Sequence, residues 1–310
     1  MIVSLSRCIL LSLLATSLYS NTNAVVFMYH HFGEDRFPST NIRIEQFQEQ
    51  LDYLQEHNYN VWPLSKVISH VQNKIQIPPK TVALTIDDAY VSIYTHAYPM
   101  LKKKRFPFTV FVNTRPIGHN SINYMTWDQM REMKSYGAEF ANHSSTHDYL
   151  IPKKDEKPLE WETRIKEELS EAQLSLQEEL GTRTNQNPKM FSYPFGEYTQ
   201  ATANYIKSLG YVGIAQTSGA ISESSDLRRI PRFAMSEAFT NMEDFKLKLN
   251  TLDLPLESVT PWEPIISSNP PNLKIILQKP FINFSCYISS GEKISLKKIS
   301  EVEFEIQSSE

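Results

Sequence analysis

Three short stretches of this 310-residue chain hold side chains of the types that do chemistry, and each follows an apolar run with strand character. Thr85-Ile-Asp-Asp88 ends in two adjacent carboxylates, Asp87 and Asp88. Two carboxylates after a buried strand are costly to hold together unless a cation or a shared proton compensates them. A helix N-cap followed by a solvated acid is the plainer alternative. Asn142-His-Ser-Ser-Thr-His147 carries His143 and His147 at a spacing of four. If the segment makes a helical turn, both imidazoles share one face, which suits zinc or a similar divalent ion. A surface turn with two unrelated histidines is the alternative. Phe191-Ser-Tyr-Pro-Phe-Gly196 places a Pro-Phe-Gly turn at a strand end, where backbone N–H groups could face a ligand; an ordinary β-turn is the alternative. Taken together, one carboxylate and two histidines make a metal set with open positions, as catalysis needs. The second carboxylate is then placed to act as general base toward water.

The elements that must position these residues alternate in type. Continuous apolar runs predict buried strands over 25–29, 81–86, 108–112, 139–141, 189–193 and 211–215. Helical spacing predicts helices over 44–59, 94–104, 127–136, 159–180 and 200–209, three of them closed by Gly137, Gly181 and Gly210. Buried strands alternating with helices indicate a parallel α/β architecture. Roughly seven repeats favour a distorted (β/α)7-type barrel, and sites in parallel α/β folds gather at the carboxyl ends of strands. After Leu254 the texture changes. Pro255, Pro261, Pro264, Pro270 and Pro271 read as a linker, followed by short strand patterns over 273–277, 281–288, 294–299 and 302–306, with a turn signal at Ser289-Ser-Gly291. This divides the chain into a main domain over 24–255 and a Pro-rich linker with a small C-terminal all-β appendage over 256–310. So small a sheet is marginal alone and is expected to pack on the main domain.

Residues 1–23 read as a secretory signal: Arg7, then an apolar run from Cys8 to Leu18, then small polar residues up to Ala24. The run is shorter than the roughly 20 residues a membrane span needs. The expected location is therefore exported, periplasmic or extracellular, and not membrane-spanning. Cys286 would be the one cysteine left, which excludes an internal disulfide; its apolar neighbours predict a buried, inert thiol. With 41% hydrophobic and 21% charged residues, the chain is neither disordered nor multi-span. A net charge of -4 with no long basic run leaves no call for nucleic acid. Tyr124, Trp127 and Trp262 are aromatics that could stack on sugar rings, although core packing is the commoner use.

The order of the three motifs resembles the NodB-homology polysaccharide deacetylases, carbohydrate esterase family 4, over residues 25–239. That family's Thr-Phe-Asp-Asp-Gly motif matches Thr85 to Ala89, with Ile86 for Phe and Ala89 for Gly. Its second motif, a histidine pair in this spacing, matches His143 and His147. The resemblance implies that Asp87 is the base and that Asp88, His143 and His147 hold one divalent metal ion, zinc. The third motif, Arg-x-Pro-Phe/Tyr, keeps Pro194 and Phe195 but has Ser192 in place of Arg. By the likeness, the backbone N–H of Phe195 helps form an oxyanion hole. The missing Arg normally orients the catalytic Asp; Arg232 is a candidate replacement, and a surface or core-rim cation is the other reading. No histidine follows His147, so the family's usual late acid is missing. A subgroup acting on poly-N-acetylglucosamine looks circularly permuted, with its acid in an N-terminal Tyr-His motif, which Tyr29-His30 fits. His30 is then the general acid, and His31 the fallback, because neighbours on a strand point to opposite faces. The implied activity is metal-dependent removal of N-acetyl groups from N-acetylglucosamine-containing polysaccharide. The alternatives are another acetylated glycan, such as peptidoglycan or xylan, or a non-catalytic carbohydrate-binding protein with a degenerate site.

Overall fold

The computed structural model describes residues 22–118, 122–181, 188–265, 272–287 and 292–307. The expected signal segment lies outside the described residues up to position 21, as do Pro270, Pro271 and the Ser289–Gly291 turn. Among the described residues, no helix is long and apolar enough to cross a membrane.

The main domain opens with β1 (Ala24–Tyr29), β2 (His31–Phe32), β3 (Asn41–Ile42), α1 (Ile44–Glu56), β4 (Asn60–Val61) and α2 (Leu64–Gln72). It continues through β5 (Thr81–Asp87), a π-helical turn at Ile93–Ala97, α3 (Tyr98–Lys104), β6 (Thr109–Val112), α4 (Trp127–Ser135) and β7 (Glu139–Asn142). Then come α5 (Pro158–Leu180), β8 (Met190–Ser192), α6 (Gln200–Ser208), β9 (Val212–Ile214), β10 (Phe233–Ala234) and α7 (Met242–Leu249). Strands run in the order β10-β1-β5-β6-β7-β8-β9, every pair parallel, with β4 joining the first residues of β5. A bridge between Ile214 and Ile230, three residues before β10, brings the two ends of the sheet toward each other. The result is the expected distorted barrel.

Strand period two sorts the core into two layers. Val25, Phe27, Val82, Leu84, Val110 and Val112 face outward and pack under α1, α3, α4 and α7 with Phe47, Leu51, Leu101, Met130 and Phe245. Val26, Ala83, Phe111, Ala141, Met190 and Val212 face inward, and α2 contributes Leu64, Val67, Ile68 and Val71 to the same cluster. Each large side chain so buried is worth about 1.5–3 kcal/mol. Helix α5 buries Trp161, Ile165, Leu169, Ala172, Leu176 and Leu180, a single stripe at helical spacing, and ends at Gly181 in the left-handed conformation.

The C-terminal unit is a five-stranded antiparallel sheet, β11 (Leu256–Thr260), β12 (Asn272–Leu277), β13 (Cys286–Tyr287), β14 (Lys293–Lys298) and β15 (Glu303–Gln307), in the order β11-β12-β15-β14-β13. It differs from expectation in three respects. The segment expected as linker carries β11, whose backbone groups pair with β12. Of the strand expected over 281–288, Cys286 and Tyr287 are the described residues in strand conformation; Ile288 lies outside the described residues. Cys286 is half-buried, not buried, because it lies on the edge strand β13. The sheet has its own small core of Ile275, Leu277, Phe304 and Ile306. It is tied to the main domain through Trp262, whose ring lies under the Arg228 and Arg229 guanidinium groups and against Tyr198, and whose carbonyl accepts from Arg229. Trp262 is thus a packing residue.

Candidate functional site

The inward-facing residue at the carboxyl end of each central strand is polar. Continuing the inner parity of Val26 and Met28 gives His30; that of Ala83 and Thr85 gives Asp87; that of Ala141 gives His143; that of Met190 gives Ser192. Sequence positions far apart therefore meet on one rim of the barrel.

At its centre, Asp88 Oδ1 lies 3.3 Å from His143 Nε2 and 3.3 Å from His147 Nε2. One ligand atom from each of the three residues falls within 4.8 Å of the others. His143 Nδ1 is 2.8 Å from the Ser192 carbonyl, which accepts its proton. The neutral ring then turns the bare lone pair of Nε2 toward Asp88. Asp88 Oδ1 is buried and has no hydrogen-bond partner, although both rings approach it. A carboxylate oxygen and imidazole lone pairs converging on one point, with the oxygen otherwise unsatisfied, fit a divalent cation. The electrostatics agree. Burial opposes charge on Asp88, but the proximity of His143, His30 and His147 overrides it and holds the carboxyl far below its usual range. His147 is pushed down to about 4 by burial and by the charge of His143, so its ring is neutral and ready to ligate. His143 runs the other way: Asp88 and Asp87 outweigh burial and raise it above its ordinary value, favouring a proton that a bound cation would displace.

The loop that brings the two histidines together is not the helical turn the spacing of four suggested. Ser144 and His147 adopt left-handed backbone, with φ of 65° and 62°. Local hydrogen bonds replace helical ones: Ser144 N–H donates to Asn142 Oδ1 and His147 N–H to Ser144 Oγ. Helix α5 holds the loop from outside, where Glu168 accepts from the N–H groups of Ser145 and Thr146 and from Thr146 Oγ1. Asp88 and Ala89 are also left-handed, with φ of 74° and 55°. Strain of this kind concentrates at functional sites.

Asp87 is fully buried and gripped by Arg232. All five guanidinium protons are used: Nη1 donates to Asp87 Oδ1 and Thr85 Oγ1, Nη2 to Asp87 Oδ2 and Ser192 Oγ, and Nε to the Ala215 carbonyl. The Phe111 ring lies 5.3 Å away. Burial would push Asp87 up, but Arg232 and His143 hold it below the usual carboxylate range. Its Oδ2 is 4.0 Å from His143 Nε2, beside the three-residue cluster but outside it. Arg232 therefore stands at the carboxylate the motif arginine was expected to orient, and is not a surface cation.

The two N-terminal histidines both feel the Asp88 charge but sit in different surroundings. His30 lies close enough to Asp87, Asp88 and His147 for its charge to bear on all three. His31 is hydrogen-bonded to Glu34 at 2.6 Å and stacked between Phe37 and Tyr90. Phe195 sits in a short 3-10 turn (Pro194–Gly196) with φ of 57°; its exposed ring packs edge-on against His147 and stacks on Tyr149. Residues without a counterpart in the expected set also line the site, Tyr90 and Asn113 among them. Tyr90 and Asn113 line, with Asp88, Tyr124, Thr146 and His147, a cavity of about 360 Å³ beside the cluster. The signal for Asn113 was the inward parity of Phe111, two residues earlier.

A curled parallel barrel with a carboxylate and two imidazoles converging at the carboxyl ends of its strands is the frame of a metal-dependent hydrolase. Residues 74–214 match the polysaccharide deacetylase family. Over that span, less than half of the chain, the sequence is similar to polysaccharide deacetylases, a hydrolytic family with typical metal dependence. It is 26% identical over 255 residues to the poly-beta-1,6-N-acetyl-D-glucosamine N-deacetylase of Escherichia coli (strain K12), covering 71% of this chain and 38% of that protein. The enzyme of the same name from Staphylococcus aureus (strain MSSA476) is 25% identical over 219 residues, 68% of this chain and 73% of that one. Among solved structures, Streptococcus pyogenes deacetylase PplD in complex with acetate superimposes with a TM-score of 0.64 at 24% identity, covering 74% of this chain and 99% of that one. IcaB from Ammonifex degensii gives 0.60 at 24% identity, covering 73% and 97%. At these identities the two structures are likenesses of fold.

Proposed function

We propose that the protein is an exported zinc-dependent deacetylase that hydrolyses the N-acetyl groups of a poly-N-acetylglucosamine chain. The observation that carries this is the buried, unpartnered Asp88 Oδ1 facing two imidazoles, with a separate carboxylate, Asp87, held by Arg232 next to it. The relatives named for poly-beta-1,6-N-acetyl-D-glucosamine deacetylation support the substrate.

Asp88, His143 and His147 would hold the cation, and their nitrogen-rich donor set suits zinc. When bound, it would supply Lewis acidity and lower the pKa of water toward about 7. The chain's own residues do the rest. Asp87 takes the proton of the attacking water, with Arg232 keeping the carboxylate ionised and aimed. The Phe195 N–H donates to the oxyanion that develops on the acetyl oxygen; one such donor is worth roughly 10²–10³ in rate. His30 delivers a proton to the amine nitrogen as the C–N bond breaks, a contribution of about 10²–10⁴. One water and one acetamide become acetate and a free amino sugar. The test is acetate release from β-1,6-linked N-acetylglucosamine oligomers before chelation, after it, and with zinc restored. Activity lost on chelation and regained with zinc is expected; release that ignores chelation overturns the metal's role, and no release from any oligomer overturns the substrate.

A further inference from the structure

Strand β6 runs between β5, which ends in Asp87 and leads into Asp88, and β7, which leads into His143. The inward-facing position at the carboxyl end of β6 is Asn113. It is 5% exposed, and its Oδ1 is buried with no hydrogen-bond partner. The backbone just beyond it is fixed, because the N–H groups of Thr114 and Arg115 donate to the carbonyls of Ser144 and Ser145. The amide is thus held on the cavity wall beside Asp88 and His147.

Buried polar atoms are nearly always paired, and an exception in a site calls for an explanation. An amide oxygen only accepts, so its missing partner is a donor. Orientation follows from the neighbour. Burial and the charge of Asp88 push the Tyr124 phenol up, and the Asn113 amide pulls it back, which its N–H end alone can do. The carbonyl end is left without a donor at the cavity's edge. Tyr90 and Tyr124, stacked with centroids 5.3 Å apart, line the same cavity, together with Arg115, Pro116 and Thr146. Aromatic rings beside a fixed amide acceptor suit a sugar ring, apolar on its C–H face and rimmed with hydroxyl donors.

We propose that Asn113 is a specificity-determining residue: its Oδ1 accepts a hydrogen bond from one hydroxyl of the sugar seated beside Asp88 and His147. This rests on the reading of the site as a glycan deacetylase. A site built to pair one hydroxyl rejects a ligand without it, because its own buried group is then stranded.

The test crosses two deletions. Asn113→Leu, with Asn113→Ser as a second variant, is assayed on a β-1,6-linked N-acetylglucosamine pentamer and on its monodeoxy series, with thermal unfolding confirming that both variants fold. Removing the carbonyl is expected to cost about 10–100-fold in kcat/KM. One monodeoxy pentamer should be as poor for the parent protein as the full pentamer is for Asn113→Leu, and Asn113→Leu should not sense that deletion. The inference is overturned if both variants match the parent, or if every deoxy pentamer costs the same factor in parent and variants. Binding of the pentamers by calorimetry to His30→Ala protein separates this from the hydrolase reading. Asn113-dependent binding without acetate release by the parent keeps the inference and rejects the hydrolysis; no binding rejects both.

Discussion

Arg232 clasps Asp87 in a two-pronged pair, Nη1 to Oδ1 at 2.7 Å and Nη2 to Oδ2 at 2.8 Å, across 145 residues of chain and with both side chains fully buried. The geometry suits a planar guanidinium and not an ammonium point charge. Arg232→Ala strands a buried carboxylate, and such a loss costs about 3–5 kcal/mol of stability. Arg232→Lys should also lose the bidentate grip, and both variants should lower acetate release by at least ~10²-fold. Asp87→Asn should abolish turnover while zinc stays bound at parent stoichiometry. Urea midpoints, acetate release and metal analysis check these outcomes; loss of zinc from Asp87→Asn would contradict the base assignment.

The two adjacent histidines should behave oppositely. His30→Ala is expected to fall about 10²–10⁴-fold in kcat with metal retained. His31→Ala removes a ring packed between Phe37 and Tyr90, so it should lower the melting temperature more than it lowers kcat. The comparison needs both numbers for both variants. Normal acetate release by His30→Ala would move the acid role elsewhere.

Metal should stabilise the fold, since the three ligands come from two strands and one loop. Zinc at 100 times its Kd adds about 2.7 kcal/mol, visible as a raised melting temperature in the parent and absent in Asp88→Ala. Glu168 touches no ligand side chain but holds the His143–His147 loop through three hydrogen bonds. Glu168→Ala should weaken zinc affinity about 10–100-fold, as loss of outer supports usually does. A titration with a competing chelator measures it, and unchanged affinity would show the loop to be self-supporting.

Acid stability should depend on Glu156. Its carboxylate is pulled down to about 2, chiefly by the Arg164 guanidinium, against an ordinary 4.5. The same arginine also donates to the Tyr149 and Ile151 carbonyls just beyond His147. With the folded value depressed, the unfolded chain binds more protons in this range. The contribution is complete above 4.5 and is lost as pH falls through 2. Glu156→Gln should therefore be less stable than the parent at neutral pH, and the gap should close between pH 4.5 and 2. Unfolding midpoints across that range decide it; a gap that stays constant refutes the linkage.

Much of the rim was legible because strand period two and apolar runs place Asp87, Asp88 and His143 at strand ends without any tertiary knowledge. The His30 and His31 distinction follows from the same alternation. Other features needed the fold. His147 reaches the cluster through left-handed loop residues fixed by Glu168, an interaction no local spacing reveals. The substitution of Ala89 for Gly gains its meaning from a φ of 55°, where a side chain is disfavoured but tolerated. Arg232 could be named from sequence but not placed, because its partner is on another strand. Helices α2 and α7 fell outside the expected elements, although Leu64, Val67, Ile68 and Val71 show a clear helical stripe; α7 is short, with only Phe245 and Leu249 buried.

The counter-charge to Asp87 comes from the segment just before β10, the strand that lies alongside β1. As the chain leaves the ribosome, Asp87, Asp88, His143 and His147 are all made long before residue 232. Closing the barrel without residue 232 would bury the Asp87 carboxylate with no guanidinium to pair it. A polypeptide ending short of this point is expected to resist closing, which ties completion of the catalytic rim to the docking of β10 on β1.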